Sequence, residues 1–332
     1  MPTKAWPPTL KKKDAKPSTY DDLSVETHGI ALLGDHVYFV IYCWDMESDS
    51  KMTSVLFRAP VSFDVPAERL SAIDSELVDV IADGDGLLVL ENAVGREGYG
   101  VLHRLEAPFA KPKKSTPMRF KNANVYTTLV RGDDGALYAA GDTIQRFDGK
   151  KWSAMPIATG YALHLEAMAT NGKTTVAVGR TGTIVELATG TVKKLVKGNN
   201  TSVLFTGVSV APDGTIAIAG NAGRALQGTC AEMSAVSGTA AKADFTGCAS
   251  FRGVTHYSAC GEASGLYALR GGKLVSILDG LNCFALTATE AHLFAETEEG
   301  LLRYDGASFK RLKTKYDAAK GVWTVAPAKG KK

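Results

Sequence analysis

The chain has 332 residues, of which 45 % are apolar, and it carries a formal net charge of +3. This length and apolar content suit a single closed all-β repeat domain, and the lack of any run of about 18 apolar residues predicts no transmembrane helix. The first 20 residues carry +4 and the last four +3, which leaves −4 on the rest of the chain. A mildly negative body argues against a nucleic-acid-binding protein.

Residues 1–21 are rich in Lys and Pro and have no periodic apolar pattern, which predicts a flexible arm. They also lack the apolar core of a signal peptide, so a cytoplasmic location is expected. The five cysteines are odd in number and form no Cys-x-x-Cys pair. We therefore expect buried free thiols in a reducing compartment, with no zinc site and no other cofactor.

From residue 22 to residue 325 a unit repeats: an apolar strand, a polar turn, and a second, strongly apolar strand. The turn occurs seven times, anchored at His36, Gly86, Gly135, Gly172, Gly214, Gly265 and Ala291. The mean spacing of 42.5 residues is close to the roughly 40–50 residues of a propeller blade. The last interval is only 26 residues. It predicts either that the sixth blade has lost its outer strand or that there are six blades.

A longer phrase recurs in residues 146–152 and 303–309: Arg, an aromatic residue, Asp-Gly, two residues, and a second aromatic residue. Asp-Gly between alternating strands is a hairpin signal. A four-stranded blade cannot bury both of its faces alone, so its second strand is expected to be apolar throughout and to pack between neighbouring blades. The pattern therefore predicts an all-β, single seven-bladed β-propeller of four-stranded antiparallel blades.

Four segments depart from the repeat. Ala107–Lys121 and Gly228–Gly247 are predicted to be insertions in surface loops, where function is often carried. Pro66–Leu77 is predicted to be a turn or short helix between blades. Val322–Val325 is predicted to close the ring by pairing with the Thr53–Pro60 segment, after which residues 326–332 form a basic tail.

Glycine-bracketed turns carry a family resemblance. Gly179-Arg180-Thr181-Gly182 and Gly220-Asn221-Ala222-Gly223 look like the turns that end blade strands. Over residues 22–325 the chain resembles the sequence-divergent bacterial β-propellers. Trp-Asp occurs once, at Trp44-Asp45, and does not recur from blade to blade as the marks of WD40 repeats do. Gly271-Gly272 is the one double glycine of the Kelch kind, and Pro212–Thr215 is only a fragment of the sialidase Asp-box. The resemblance implies the fold and transfers no activity.

Two groups of residues are candidate binding sites. The first is basic and is expected to contact an acidic partner protein; its members are Lys111, Lys113, Lys114, Arg119 and Lys121. The second group is His28, His164 and His256, which lie in or beside predicted first strands. First strands line the central channel of a propeller, so these histidines are candidates for a shared metal, although their spacing carries no ligand signature.

No phosphate loop, nucleophile elbow or His-Glu-x-x-His motif is present. Asp85, Asp134 and Asp213 precede turn glycines and are interpreted as turn residues rather than as glycosidase acids. The sequence therefore favours a monomeric, non-catalytic module that binds a protein, with no nucleic-acid or membrane partner; one version is a cytoplasmic inhibitor or immunity protein that neutralises a toxin or effector. The alternatives are a propeller lyase or hydrolase with a metal on the channel histidines, and a carbohydrate-binding propeller that uses Trp152 and Phe309.

Overall fold

A computed structural model describes residues 23–45, 48–92, 99–109, 111–119, 126–157, 163–194, 202–238, 243–317 and 322–328. The described residues form 29 strands and a single-turn 3₁₀ helix, Gly261–Ala263. Among these residues, no helix is long and apolar enough to cross a membrane. The chain divides into two compact units, the first made of residues 1–121, 298–303 and 308–332 and the second of residues 122–297 and 304–307.

The first unit contains two four-stranded antiparallel sheets whose strands follow chain order. The first sheet consists of β1 (Leu23–Leu33), β2 (His36–Asp45), β3 (Ser48–Pro60) and β4 (Glu68–Ile73). The second sheet consists of β5 (Glu76–Asp83), β6 (Gly86–Asn92), β7 (Tyr99–Leu105) and β8 (Pro112–Arg119). Between them lies a core cluster that includes Tyr38, Val40, Leu56, Val89 and Phe109.

The second unit contains four more sheets of the same kind, again with neighbouring strands consecutive in the chain. The third sheet is β9 (Tyr126–Arg131), β10 (Leu137–Gly141), β11 (Ile144–Phe147) and β12 (Trp152–Ala154), and the fourth is β13 (Leu165–Thr170), β14 (Thr175–Gly179), β15 (Thr183–Glu186) and β16 (Thr191–Lys194). The fifth is β17 (Phe205–Val210), β18 (Ile216–Gly220), β19 (Arg224–Gly228) and β20 (Met233–Ala235), and the sixth is β21 (Asp244–Phe251), β22 (Val254–Cys260), β23 (Gly265–Arg270) and β24 (Lys273–Asp279).

The seventh sheet has five strands in the order β25-β26-β27-β28-β29. They are β25 (Cys283–Ala288), β26 (Leu293–Thr297), β27 (Gly300–Tyr304), β28 (Phe309–Asp317) and β29 (Val322–Pro327). The predicted pairing of Val322–Val325 with Thr53–Pro60 is wrong: β29 pairs antiparallel with β28, for example Trp323 with Tyr316. Four residues separate the two strands, so a hairpin brings them together with less loss of chain entropy than a long-range pairing.

Seven antiparallel sheets of this order make the fold a seven-bladed β-propeller, which confirms the predicted class and excludes the six-bladed alternative. The sixth sheet retains its outer strand. The interval of 26 residues arose because Gly265 begins the third strand of that sheet, whereas the turn before its second strand is at Arg252-Gly253. With Gly253 as the anchor, the two neighbouring intervals become 39 and 38 residues.

Three of the segments that were predicted to be irregular contain regular strands, mostly the outer strands of their sheets. Ala107–Lys121 contains β8, Gly228–Gly247 contains β20 and the start of β21, and Pro66–Leu77 contains β4. Outer strands are half exposed and short, so their apolar signal is weak. Residues 1–22 and 329–332, where the arm and most of the basic tail were predicted, lie outside the described residues.

The second strands are buried on both faces, as predicted for sheets that stack face to face. Every residue of the second strands β10, β14, β18 and β26 is buried. Clusters of apolar side chains lie between the third and fourth, fourth and fifth, and fifth and sixth sheets. Strands sandwiched in this way have no solvent-facing side, which explains why their sequences are apolar without alternation.

First strands share a β-bulge near their beginning, and polar side chains there link neighbouring sheets. The Oγ1 atoms of Thr127, Thr206 and Thr246 donate to carbonyl oxygens of the next first strand, at 3.0, 2.8 and 2.5 Å. Within the first unit, Nδ1 of His28 makes the corresponding bond to Leu77 O at 3.1 Å. In β9, β17 and β21 the bonded threonine is itself the extra residue of the bulge, whereas in β1 the extra residue is Gly29 and His28 precedes it.

Candidate functional site

The predicted basic loop is the outer strand β8. Lys111, Lys113 and Lys114 are exposed; Lys113 and Lys114 lie on the strand, and Lys111 immediately precedes it. Arg119 is the last residue of β8, and Lys121 lies outside the described residues. One edge of β8 pairs with β7, and the other has no strand partner among the described residues. This row of cations therefore lies at the rim of the second sheet.

Part of this positive charge is compensated. Lys113 Nζ is 2.6 Å from Glu106 Oε2, and Arg104 binds Glu106 and also forms a short ion pair with Asp83. The hydrogen bond from Lys113 is the main reason why the pKa of Glu106 is lowered. Lys111 and Lys114 are therefore the members of the basic group whose charge is best placed for a partner, and Lys113 is held by the network.

His28 and His164 are engaged separately. His28 lies on β1, where Nε2 is 3.0 Å from Glu26 Oε2 and the ring packs 5.2 Å from that of Tyr42. His164 immediately precedes β13 in a left-handed conformation, with φ at +46°, and its Nδ1 is 2.8 Å from Asp142 Oδ1. Each histidine thus has a local carboxylate partner.

The prediction that His256 belongs to a first strand is wrong. It lies on β22, the second strand of the sixth sheet, and is 4 % exposed. Nδ1 bonds to Val254 O at 3.0 Å, and the ring packs against Phe251 and Tyr304. Burial lowers the pKa of His256, so it is held neutral. Among the described residues no three His, Cys, Asp or Glu side chains group as metal ligands.

The repeated Asp-Gly phrases are turns with the same local bonds. Asp148 Oδ1 accepts from the amide of Lys150 at 2.9 Å, and Asp305 Oδ1 accepts from the amide of Ala307 at 2.9 Å. Trp152 and Phe309 both begin the fourth strand of their sheets, and Trp152 packs 5.1 Å from Phe147. The part of the phrase that both copies share in structure is the Asp-Gly turn that leads into the fourth strand.

The acids considered for glycoside chemistry are also turn residues. Asp213 accepts a hydrogen bond from the amide of Thr215 at 2.9 Å, the main cause of its lowered pKa. Asp134 accepts from the amide of Ala136 at 3.0 Å and binds Arg146 at 2.7 Å. Such contacts keep a carboxylate ionised, which does not suit a general acid.

A polar group that the sequence analysis did not identify spans three strands of the second sheet. Glu91 lies on β6, His103 on β7 and Ser115 on β8. Glu91 Oε2 is 2.5 Å from His103 Nε2, and Ser115 Oγ is 2.9 Å from His103 Nδ1. Each residue is 12 positions from the next, and this regular spacing on consecutive antiparallel strands is the signal from which the group could have been predicted.

No family model and no curated protein matches this sequence. Among solved structures, the chain is similar to one described as YCF48 bound to D1 peptide, with a TM-score of 0.54 and 13 % sequence identity. The similarity covers 86 % of this chain and 94 % of that chain. At this identity the likeness supports the β-propeller fold alone.

Proposed function

We propose that this chain is a protein-interaction β-propeller that contacts an acidic partner through the outer strand of its second sheet. The observation that carries the proposal is the exposed row Lys111, Lys113 and Lys114 at the free edge of β8. Complementary charges across an interface speed association and select the partner.

The chemistry of β8 favours contact through side chains. Pro112 and Pro117 lie on the strand, and each lacks the backbone N–H that a partner strand would need. Prolines and lysines on an edge strand discourage the addition of another strand. An acidic surface that meets the lysine ammonium groups fits this edge better than an extended peptide that pairs with its backbone.

A propeller of similar fold, YCF48, is bound to a D1 peptide in its solved structure. This supports the general class of function, because a related architecture holds a polypeptide. It does not identify the partner of the present chain.

The test is a charge reversal with a matched control. The Lys111→Glu, Lys114→Glu variant should bind the partner isolated from cells of the source organism at least tenfold more weakly than the native chain. The control is Lys150→Glu, Lys151→Glu, which reverses the same charge in the exposed turn before β12. Calorimetry measures the affinity of both variants for the partner at low and at physiological salt. The two salt concentrations are compared because salt screens a charge contact at an exposed edge. Equal affinities for the two variants would refute the role of β8.

A narrower version of the proposal is that the partner is a toxin or effector that this chain neutralises in the cytoplasm. Cells that express the isolated partner should then grow only when the native chain is present. The charge-reversed variant should restore growth less well than the control variant. Growth arrest by the partner is the necessary first result, and a harmless partner would contradict this version while leaving the binding proposal intact.

A further inference from the structure

The hydrogen bonds around His103 assign a role to each of its nitrogens. The ionised carboxylate of Glu91 only accepts hydrogen bonds, so Nε2 carries the hydrogen at that 2.5 Å contact. In neutral imidazole Nδ1 is then an acceptor, and the Ser115 hydroxyl donates to it across 2.9 Å. A histidine oriented by a carboxylate and bonded to a serine hydroxyl is the arrangement that activates serine nucleophiles.

The base and the acid of this group are buried, whereas the serine hydroxyl is exposed and can meet a substrate. His103 is 6 % exposed, and the side chain of Glu91 is 12 % exposed. Ser115, at the other end of the chain of bonds, is exposed. In the serine proteases the serine bonds to Nε2 and the acid to Nδ1, whereas here Ser115 bonds to Nδ1 and Glu91 to Nε2. In both arrangements one ring nitrogen can accept the serine proton while the acid orients the ring through the other.

A second hydroxyl, that of Ser71, faces the interface between the first and second sheets. Val40 and Leu56 pack in one cluster with Val89, and Val89 is the cross-strand neighbour of His103. Ser71 is the cross-strand neighbour of Leu56, so its side chain lies on the same face of the first sheet.

Ser71 is 5 % exposed, and its Oγ has no hydrogen-bond partner among the described residues. A buried hydroxyl without a partner is costly and uncommon. It is a donor of the kind that stabilises the oxygen of a reacting carbonyl. The second sheet thus carries a serine, an imidazole base and an orienting acid, and the first sheet presents a donor on the face that packs against it.

The geometry points to Ser115 as a nucleophile toward carboxylic esters, with Lys111 and Lys114 favouring those that carry an anionic group. Ser115 Oγ bonds to the ester carbonyl carbon while its proton passes to His103 Nδ1. The ester C–O bond then breaks, and the departing alcohol takes the proton from Nδ1 and leaves an acyl group on Ser115. Water, with Nδ1 again as base, releases the acid and restores the hydroxyl. This activity does not depend on the proposed binding function.

A fluorophosphonate probe tests the inference directly, because the serine oxygen bonds to phosphorus and fluoride leaves. Peptide mass spectrometry of the labelled full chain compares Ser115 with Ser153, an exposed serine on β12, the outer strand of the third sheet. Ser153 Oγ contacts Arg146 O and no imidazole. Labelling of Ser115 should be on the order of 100-fold faster, the usual contribution of a general base.

Two variants separate activation from simple exposure. His103→Gln and Glu91→Gln should each slow labelling of Ser115 at least tenfold and leave that of Ser153 unchanged, with circular dichroism confirming the fold. Equal labelling of the two serines in the native chain would overturn the inference, and this comparison requires no variant to fold. Labelling of Ser115 that persists in folded His103→Gln would also overturn it.

Discussion

At the scale of single residues, the three histidines considered for a metal serve three different local purposes. His28 bridges two first strands, His164 turns the chain into β13, and His256 is packed among aromatic rings. Sequence could identify them as unusual residues near strand ends. It placed His28 and His164 correctly in or beside first strands but not His256, because the pattern of Thr255-His256-Tyr257 does not distinguish a first strand from a second.

His256 predicts a pH dependence of stability. Burial lowers its folded pKa below that of the unfolded chain, and the charge of Arg270 adds to the effect. As the pH falls through the ordinary histidine range near 6.5, the unfolded chain binds a proton before the folded chain does, so folding is weakened. Urea unfolding at pH 7.5 and pH 5.5 should show a smaller loss of stability on acidification for His256→Gln than for the native chain. An unchanged or larger loss would contradict the neutral, buried state of this residue.

At the scale of strands, the close approach of first strands depends on glycine. A Cβ added at Gly207 on β17 would lie 2.6 Å from Gly247 Cα on β21. Gly207→Ala must therefore push two backbones apart, and we expect a loss of about 1–3 kcal/mol in the free energy of unfolding. Ser234→Ala, at an exposed position on the outer strand β20 of the same sheet, is the control and should change stability by less than about 0.5 kcal/mol. Equal effects measured by chemical denaturation would show that the two strands tolerate separation.

Second strands could be predicted from the sequence and outer strands could not, because the two differ in burial. Second strands are buried on both faces, so Ile216–Gly220 and its counterparts are apolar throughout and were recognisable. Outer strands such as β8 carry Lys, Pro and Ser at mostly exposed positions, which is also the composition of a loop. Short-range pairings such as β28 with β29 could not be distinguished from long-range closure by composition.

At the scale of the whole molecule, the repeat pattern was enough to predict a seven-bladed propeller of four-stranded antiparallel sheets, but it did not show that Val322–Val325 belongs to the last sheet as a fifth strand. The candidate sites were harder to predict from the sequence. The lysines of β8 were visible as a basic group, whereas the contacts among Glu91, His103 and Ser115 depend on the register of three strands. That register is set by hairpins and burial rather than by any local motif.

The central claim is that a partner docks on the basic outer strand of the second sheet. Hydrogen–deuterium exchange of the isolated complex tests it most directly, because the free edge of β8 has no strand partner to protect it. The account predicts slower exchange in residues 111–119 of the complex than of the free chain, and no slowing in the outer strand β12. Slower exchange confined to other sheets, with residues 111–119 unchanged, would contradict it.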